Sequence, residues 1–136
     1  MPVQWVNRPD SEFRGFSGLI TSGSIARGSE VVAALSGRAS RVTRIVGPAG
    51  DMEQAQAGQS VTLCLADEID ISRGDVLAAA GALPQVTDQF AGHIVWMGTE
   101  PMLPERRYLA RFATATATAQ VTDLTHTVDV NTLEKL

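Results

Sequence analysis

The stretch GFSGLITSGSIARGSEV, residues 15–31, carries the clearest structural signal in the sequence. Three glycines, Gly18, Gly23 and Gly28, divide it into short segments in which apolar and hydroxyl side chains alternate. A period of two places successive side chains on opposite faces, as in a half-buried β-strand. Glycine also tolerates the positive φ angles of tight turns. The stretch therefore predicts short strands joined by glycine turns.

Further segments of the same character lie on both sides of this stretch. They are PVQWVN (residues 2–7), EVVAAL (30–35), RVTRIV (41–46) and SVTLCLA (60–66). Each is short and mostly β-branched, and residues rich in Gly, Asp and Pro separate them. The longest intervening segment, GPAGDMEQAQAGQ (47–59), reads as a loop with room for one helical turn at most.

Residues 1–82 are predicted to form a small, closed, antiparallel β-barrel of the Greek-key type with about six strands. No window keeps the apolar period of a helix over three turns, so the whole chain is predicted to be all-β. Alternation along the first strand should turn Val3, Trp5 and Asn7 to one side. The residues expected to fill the barrel interior are Val3, Trp5, Ile20, Ile45, Val61 and Leu63.

A second domain is predicted over residues 83–136, because the small-residue segment AAAGALPQ (78–85) marks a change in composition. QFAGHIVWM (89–97) reads as a strand, and YLARFATATATAQVTDL (108–124) as a long hairpin in which alanine and threonine alternate. These three or four strands would make up the N-terminal part of a second β-barrel.

Such a partial barrel should expose unpaired strand edges and an apolar face. The residues expected to line that face are Val95, Leu109, Phe112 and Val121. A segment of about 50 residues is near the lower limit for an independent core. Either the segment packs against the first barrel or a second copy pairs with the open edge of residues 86–136. We favour the homodimer, since it would satisfy backbone pairing and apolar burial together.

The amino-acid composition limits the kinds of partner that the chain can bind. The net charge of −4 over 136 residues argues against a surface for nucleic acid or an anionic membrane. Cys64 is the single cysteine, which excludes an internal disulfide, and we interpret it as a small buried hydrophobe. No apolar stretch reaches the roughly 18 residues of a membrane-spanning helix, and no signal peptide is evident. The expected location is cytoplasmic.

A search for catalytic or ligand-binding motifs finds none. A phosphate-binding loop needs a Gly-Lys pair, but the only lysine is Lys135. Neither Asn7 nor Asn131 begins a base-reading Asn-Lys-x-Asp motif. His93 and His126 have no metal-ligand spacing, and both read as ordinary strand residues. We therefore predict no catalytic, cofactor-binding or metal-binding residue in this chain.

The densest charge cluster is the run of Asp67, Glu68 and Asp70, followed by Arg73 and Asp75. The order of these residues does not fit a calcium-binding loop. We interpret the run as a solvated loop in which Arg73 pairs with a neighbouring acid, with a protein contact as the alternative.

The glycine stretch is similar to the G-x-[IV]-x-[ST]-G-x-[IV]-x-x-G signature of domain II of elongation-factor-Tu-like GTPases. In that family the glycines permit positive φ at the turns of a small barrel. PVQWVNRP (2–9), DEIDISRGDVL (67–77) and HTVDVNTLEKL (126–136) resemble more narrowly the large subunit of bacterial sulfate adenylyltransferase, also called ATP sulfurylase. QFAGHIVWM, PMLPERRYLARF and AQVTDL resemble the start of its third domain, in the same order.

This resemblance implies a non-catalytic structural and coupling region. In the family, GTP hydrolysis by the large subunit drives synthesis of adenosine 5′-phosphosulfate from ATP and sulfate, and the small subunit carries out adenylyl transfer. The large subunit is often fused to adenylylsulfate kinase. GTP, ATP and magnesium would belong to the parent protein, because its GTPase, adenylyltransferase and kinase sites lie outside this sequence. We expect the chain to be a fragment that binds no cofactor of its own.

The resemblance also implies two partners: a GTPase domain in cis and the small adenylyltransferase subunit. Arg14, in FRGF, and Arg73, in SRGD, are the candidate partner contacts, because they lie in loops of the kind that domain II presents to the GTPase domain. The alternative is a domain II and III module of a translation factor that contacts RNA. A basic face would favour that alternative, and the acidic balance counts against it.

Overall fold

The computed structural model describes residues 1–136, and it is built almost entirely of β-strands. The strands are β1 (Trp5–Asn7), β2 (Gly15–Leu19), β3 (Ser24–Ala26), β4 (Glu30–Ala33), β5 (Ala39–Gly47), β6 (Gly50–Met52), β7 (Gln54–Gln56), β8 (Ser60–Leu65), β9 (Leu77–Ala79), β10 (Arg107–Phe112) and β11 (Ala115–Gln120). One 3-10 turn, Ala80–Ala82, follows β9. The all-β prediction is confirmed. No helix is long and apolar enough to cross a membrane.

The chain divides into two compact units, which are described separately. The first comprises Met1–Asp88 with Phe112–Ala115, and the second comprises Gln89–Arg111 with Thr116–Leu136. The boundary predicted after residue 82 stays a prediction.

The main sheet of the first unit has seven strands in the order β1-β2-β8-β5-β4-β9, with β6 paired to the end of β5. A bridge between Pro2 and Val76 joins the chain before β1 to the chain before β9. The Val3 amide donates to the Asp75 carbonyl at 2.8 Å, next to this bridge. The two ends of the strand path therefore meet, and the sheet closes into the predicted antiparallel barrel. β3 and β7 form a separate antiparallel ribbon.

The barrel interior contains five of the six side chains predicted for it. The core residues are Val3, Phe16, Ile20, Val31, Ala33, Val42, Ile45, Ala55, Val61, Leu63, Ile69, Ile71 and Leu77. The prediction for Trp5 is wrong, because its side chain is 65% exposed. The Val3 amide bonds to Asp75, whereas the next amide, of Gln4, bonds to the Ser17 carbonyl. The chain changes partner between these residues, so the period of two does not continue from Val3 to Trp5.

Residues 47–59 contain two short strands, β6 and β7, separated by turns, rather than the one predicted loop. The chain reverses at Pro48 and Ala49, between the paired Gly47 and Gly50, and the Gly50 φ of 118° suits glycine. β7 then pairs with β3 and buries Ala55 opposite Ile25. The helical turn allowed for Met52 to Ala57 is therefore absent, because this segment finds backbone partners in other strands.

The three glycines of the opening stretch serve two different purposes. Gly23 and Gly28 have φ angles of 70° and 86°, as the turn prediction requires. Gly18 lies inside β2 instead, and a Cβ added there would collide with the backbone oxygen of Pro2. Glycine at this position permits a close approach of two backbones and not a turn.

β5 contains a β-bulge. Val42 pairs with Leu65 and Arg44 with Cys64, so the intervening Thr43 has no counterpart in β8. Thr43 and Arg44 are consecutive and both exposed, while Ile45 returns to the core. The bulge thus turns Arg44 outward without moving the apolar residues on either side.

Apart from residues Phe112–Ala115 at its turn, the hairpin of β10 and β11 belongs to the second unit, which also has an isolated bridge between Val128 and Lys135. The predicted hairpin is confirmed, whereas the strand predicted at residues 89–97 is wrong. Within that segment, the Trp96 indole N–H donates to the Glu100 carbonyl at 2.7 Å, so the chain turns locally. The predictions that His93 and His126 lie in strands are also wrong, since both residues lie in irregular segments.

No residue of the second unit is fully buried. Val95 and Leu109 are 84% and 70% exposed, and Phe112 at the end of β10 is 46% exposed. Val121, the fourth residue predicted for the apolar face, is half-buried. The two units therefore differ sharply, because only the barrel has a core.

Candidate functional site

A cleft of about 310 Å³ opens beside the loop that joins β1 to β2. Its walls come from this loop, from the bulged part of β5 and from the residues that follow β8. The cleft contains Arg14, one of the two predicted partner contacts. It is therefore the candidate functional site of the first unit.

A local turn gives the loop its shape. The Asp10 carboxylate accepts hydrogen bonds from the amides of Glu12 and Phe13, both at 2.9 Å. Aspartate stabilises turns in this way because its short side chain can reach the amides that follow it. The turn fixes the approach of the chain to Arg14 and to β2.

Two arginines of the cleft lie over phenylalanine rings. The Arg14 guanidinium carbon is 5.4 Å from the centroid of Phe16, and that of Arg44 is 5.9 Å from Phe13. Both distances fall within the range of a cation–π contact. These contacts orient the two guanidinium groups at the cleft.

The electrostatic partners of the two arginines differ. Arg44 Nε donates to both carboxylate oxygens of Asp51, at 3.0 and 2.8 Å. This hydrogen bond lowers the pKa of Asp51 and raises that of Arg44. The ion pairs of the structure are this one and Arg27–Glu53, so the charge of Arg14 is not neutralised by an ion pair.

The cleft also contains acidic side chains. Asp67 and Glu68 line it, together with Glu12 from the loop. Asp67 accepts a hydrogen bond of 2.7 Å from the hydroxyl of the buried Ser40, which holds the carboxylate in place. The cleft therefore presents both signs of charge, a pattern that suits a protein surface better than a polyanion.

Cys64 lies in the cleft wall and is half-buried. Burial raises the pKa of its thiol, so the neutral thiol predominates at pH about 7. The thiolate is the nucleophile and metal ligand of cysteine chemistry. The prediction of a buried Cys64 is thus wrong in its degree of burial, since the side chain is only half-buried at the cleft.

Arg73, the second candidate contact, does not line this cleft. Its guanidinium donates to the Gln4 carbonyl at 2.9 Å, and the predicted pairing with an acid is wrong. The neighbouring Asp75 is buried, and its Oδ1 accepts from the Val76 and Leu35 amides at 2.8 and 3.3 Å. The acidic run is thus not a simple solvated loop, because Asp75 joins backbone segments within the barrel.

Sequence reasoning missed Arg44, Phe13 and Phe16 as parts of the site. The spacing of Arg14 and Phe16, two residues apart in an extended segment, was the available signal, since such residues share a face. Arg44 gave no comparable signal, because its outward position depends on the bulge at Thr43.

Comparison with solved structures identifies the class of fold. A crystal structure of Sup35 complexed with GMPPNP superposes with a TM-score of 0.82 at 22% identity, covering 100% of this chain and 33% of that one. The family described as GTP-eEF1A C-terminal domain-like matches residues 89–136. The chain therefore has the fold of the β-domains of translation-factor-type GTPases.

Sequence comparison identifies the relatives more closely. The bifunctional enzyme NodQ of Rhizobium sp. (strain N33) is 55% identical over 130 residues, which are 96% of this chain and 20% of that protein. Sulfate adenylyltransferase subunit 1 of Alteromonas mediterranea is 48% identical over 134 residues, 98% of this chain and 28% of that protein. The chain is homologous to one region of the sulfate adenylyltransferase large subunit, and the predicted resemblance is confirmed. It spans between a fifth and just over a quarter of these relatives.

Proposed function

We propose that the chain is the non-catalytic barrel region of the GTPase subunit of a sulfate adenylyltransferase. In the complete cytoplasmic enzyme it would help to couple GTP hydrolysis to the synthesis of adenosine 5′-phosphosulfate from ATP and sulfate. The observation that carries the proposal is identity of about 50% to these subunits along nearly the whole chain. The likeness to Sup35 supports the fold alone, at 22% identity, and the charge of −4 speaks against the RNA-contacting alternative.

We propose that GTP, ATP and magnesium bind outside this chain. The sequence has no Gly-Lys pair to hold a phosphate, and no group of three or more His, Cys, Asp or Glu side chains is placed to hold a metal ion. Titration calorimetry of the chain with GTP and magnesium tests this part of the proposal. We expect no heat of binding, and a saturable micromolar isotherm would contradict it.

The cleft at Arg14 is the surface we propose for a partner, either the GTPase domain in cis or the small subunit. Three features support it. The turn at Asp10 fixes the loop, Phe16 orients the guanidinium, and no ion pair neutralises its charge. Arginines of this kind are common among the residues that dominate binding at interfaces. A carboxylate of the partner would complete the site.

Arg73 is the second proposed contact, although its bond to Gln4 gives it a structural role as well. Loss of Arg73 should therefore affect both stability and binding, whereas loss of Arg14 should affect binding alone. This difference allows the two arginines to be separated by experiment.

The experiment uses the full-length subunit that contains this region, with its small subunit. Arg14→Ala should lower small-subunit-stimulated GTP hydrolysis at least about fivefold, as truncation of an interface arginine does. Arg38→Ala is the matched control, since Arg38 is exposed and lies outside the cleft. Stimulation that is equal in the Arg14→Ala and Arg38→Ala proteins would mean that Arg14 is an ordinary surface residue.

We also propose that isolated chains associate through the second unit. Its exposed apolar residues and its hairpin, whose two strands pair only with each other, support this proposal. Sedimentation equilibrium should show a homodimer at high concentration. A strictly monomeric species would contradict the proposal.

A further inference from the structure

Five charged side chains of the cleft make no ion pair with each other or with the rest of the structure. They are Arg8, Glu12, Arg14, Asp67 and Glu68. The ion pairs of the structure are Arg27–Glu53 and Arg44–Asp51. Cations and carboxylates therefore line the same cleft without neutralising each other.

The pairing of β5 with β8 places Asp67 at the cleft. Val42 pairs with Leu65 in this antiparallel ladder, and the same register continued by two residues brings Ser40 opposite Asp67. The Ser40 hydroxyl donates to Asp67 Oδ2 at 2.7 Å, and the Asp67 amide donates to the Ser40 hydroxyl oxygen at 3.1 Å. Because Ser40 is buried, these two bonds tie Asp67 to the barrel wall.

One carboxylate oxygen of Asp67 remains available to a partner. A carboxylate can accept about four hydrogen bonds through its two oxygens, and Ser40 uses Oδ2. Asp67 is exposed, so its Oδ1 can accept from a donor outside the chain. Arg14 is oriented in a comparable way by the ring of Phe16. The cleft thus holds an oriented carboxylate and an oriented guanidinium, and neither belongs to an ion pair.

We infer that Asp67 is a second recognition residue of the cleft, which accepts a hydrogen bond from a basic side chain of the partner. The inference rests on the proposed docking of a partner at Arg14 and specifies the chemistry of that partner. The occupant is a protein segment that carries an acidic and a basic side chain close together. The acidic side chain binds Arg14, and the basic side chain binds Asp67. Both contacts are charge-assisted hydrogen bonds, which are stronger than neutral ones.

The charges of the cleft select against other ligands. A purely acidic segment or a polyanion would meet Asp67 and Glu68 as well as the arginines, and like charges brought together at an interface are unfavourable. The volume of about 310 Å³ lies at the lower end of the range for small-molecule sites, about 300–1,000 Å³. Such a volume suits the ends of a few side chains from a protein segment.

The full-length subunit and its small subunit test the inference through stimulated GTP hydrolysis, measured over a range of small-subunit concentrations. Asp67→Asn keeps the shape of the side chain and an oxygen that can accept from Ser40, but it removes the charge. We expect the stimulation at low salt to fall at least about threefold. Asp70→Asn is the matched control, because Asp70 is exposed in the same loop but does not line the cleft, and it should leave the stimulation unchanged.

The shape of the concentration curve identifies the source of the basic side chain. A higher half-maximal concentration in Asp67→Asn assigns that side chain to the small subunit, and a lower plateau assigns it to the GTPase domain in cis. Both results support the inference. The loss should also shrink as NaCl is raised, since salt screens exposed charges.

Ser40→Ala tests whether Ser40 is a positioning residue for Asp67. It removes the donor that orients the carboxylate and leaves the charge, so stimulation should fall by a smaller factor than in Asp67→Asn. In the Asp67→Asn background the same change should have no further effect, because a positioning residue acts only through the group that it holds. An equal loss in both backgrounds would mean that Ser40 has a merely structural role.

Two results would overturn the inference. One is equal stimulation in the Asp67→Asn and Asp70→Asn proteins. The other is a gain of stimulation in Asp67→Asn, which would mean that the partner segment is acidic throughout. Arg14→Ala reports separately on the proposed function. A loss in Arg14→Ala with none in Asp67→Asn rejects this inference alone, whereas unchanged stimulation in Arg14→Ala contradicts the proposed docking at the cleft.

Discussion

Arg44 and Asp51 face each other across the turn between β5 and β6, and Arg44 Nε contacts both carboxylate oxygens of Asp51 at 3.0 and 2.8 Å. The contact exists because the bulge at Thr43 turns Arg44 outward, next to a loop short enough to bring Asp51 alongside. It removes Arg44 from the charges available to a partner at the cleft and leaves Arg8 and Arg14 as the cations there that no ion pair neutralises.

The pH dependence of this pair follows from the lowered pKa of Asp51, which its hydrogen bond with Arg44 causes. A carboxyl with a lowered native pKa stabilises the fold above its unfolded pKa of about 3.9 and loses this effect as the pH falls through the native pKa. The stability difference between the unsubstituted chain and Asp51→Asn should therefore be constant near neutral pH and disappear in acid. Urea denaturation at several pH values measures it. The effect should be small because both side chains are largely exposed.

The turn of the β10–β11 hairpin contains a strained alanine. Ala113 has a φ of 53°, a left-handed conformation that a Cβ disfavours. Ala113→Gly should raise the free energy of unfolding by about 0.5–1 kcal/mol. Ala117→Gly, an exposed change within β11, is the matched control and should lower it by a similar amount. Equal effects of the two glycines would show that the turn is not strained.

Gly18 should tolerate no side chain. Its added Cβ would collide with the Pro2 backbone oxygen, where the barrel closes, so Gly18→Ala should cost about 1–3 kcal/mol. Gly23→Ala is the control, because a Cβ there meets nothing within 4 Å and only the positive φ is unfavourable. Its cost should be about 1 kcal/mol. Thermal denaturation of both variants compares the two, and an equal or smaller loss in Gly18→Ala would contradict the close approach.

Truncation of an apolar side chain should affect stability differently in the two units. Leu63 is 2% exposed and Leu109 is 70% exposed. Leu63→Ala should lower the free energy of unfolding by about 2–5 kcal/mol, whereas Leu109→Ala should change it by less than about 0.5 kcal/mol. Chemical denaturation followed by tryptophan fluorescence gives both free energies of unfolding. A large loss in monomeric Leu109→Ala would mean that the second unit has an apolar core of its own.

The barrel could be predicted well from the sequence, because the alternation that marks its strands lies within short segments. Alternation across residues 15–31 and 60–66 correctly places Ile20, Val61 and Leu63 inside. The two wrong predictions have the same physical cause, because both depend on which strand a backbone segment pairs with. Trp5 is exposed because the backbone changes partners after Val3, and residues 89–97 form no strand because no β-ladder of the fold includes them. Neither event leaves a mark in the hydrophobic pattern.

The candidate site was predicted less completely than the fold. The loop position of Arg14 followed from the resemblance to the family, but the cleft also depends on the bulge that exposes Arg44. A bulge adds one residue to one strand, and the sequence of β5 does not show which residue that is. The edge-to-face contact between the rings of His93 and His126 depends likewise on distant segments meeting, which single-sequence patterns do not show.

Closure of the barrel at Met1, Val3, Asp75 and Leu77 also constrains how the chain folds. The Leu77 amide bonds to the Met1 carbonyl at 2.9 Å, so the pairing that completes the barrel joins residues 76 positions apart in the sequence. Contacts between residues so far apart in the sequence require closure of a large loop before they stabilise the fold. Folding rates fall as the proportion of such contacts increases. The barrel cannot be completed on a ribosome until residue 77 has left the exit tunnel. Until then β1 and β4 each have an edge without its partner, and such edges can pair with foreign strands.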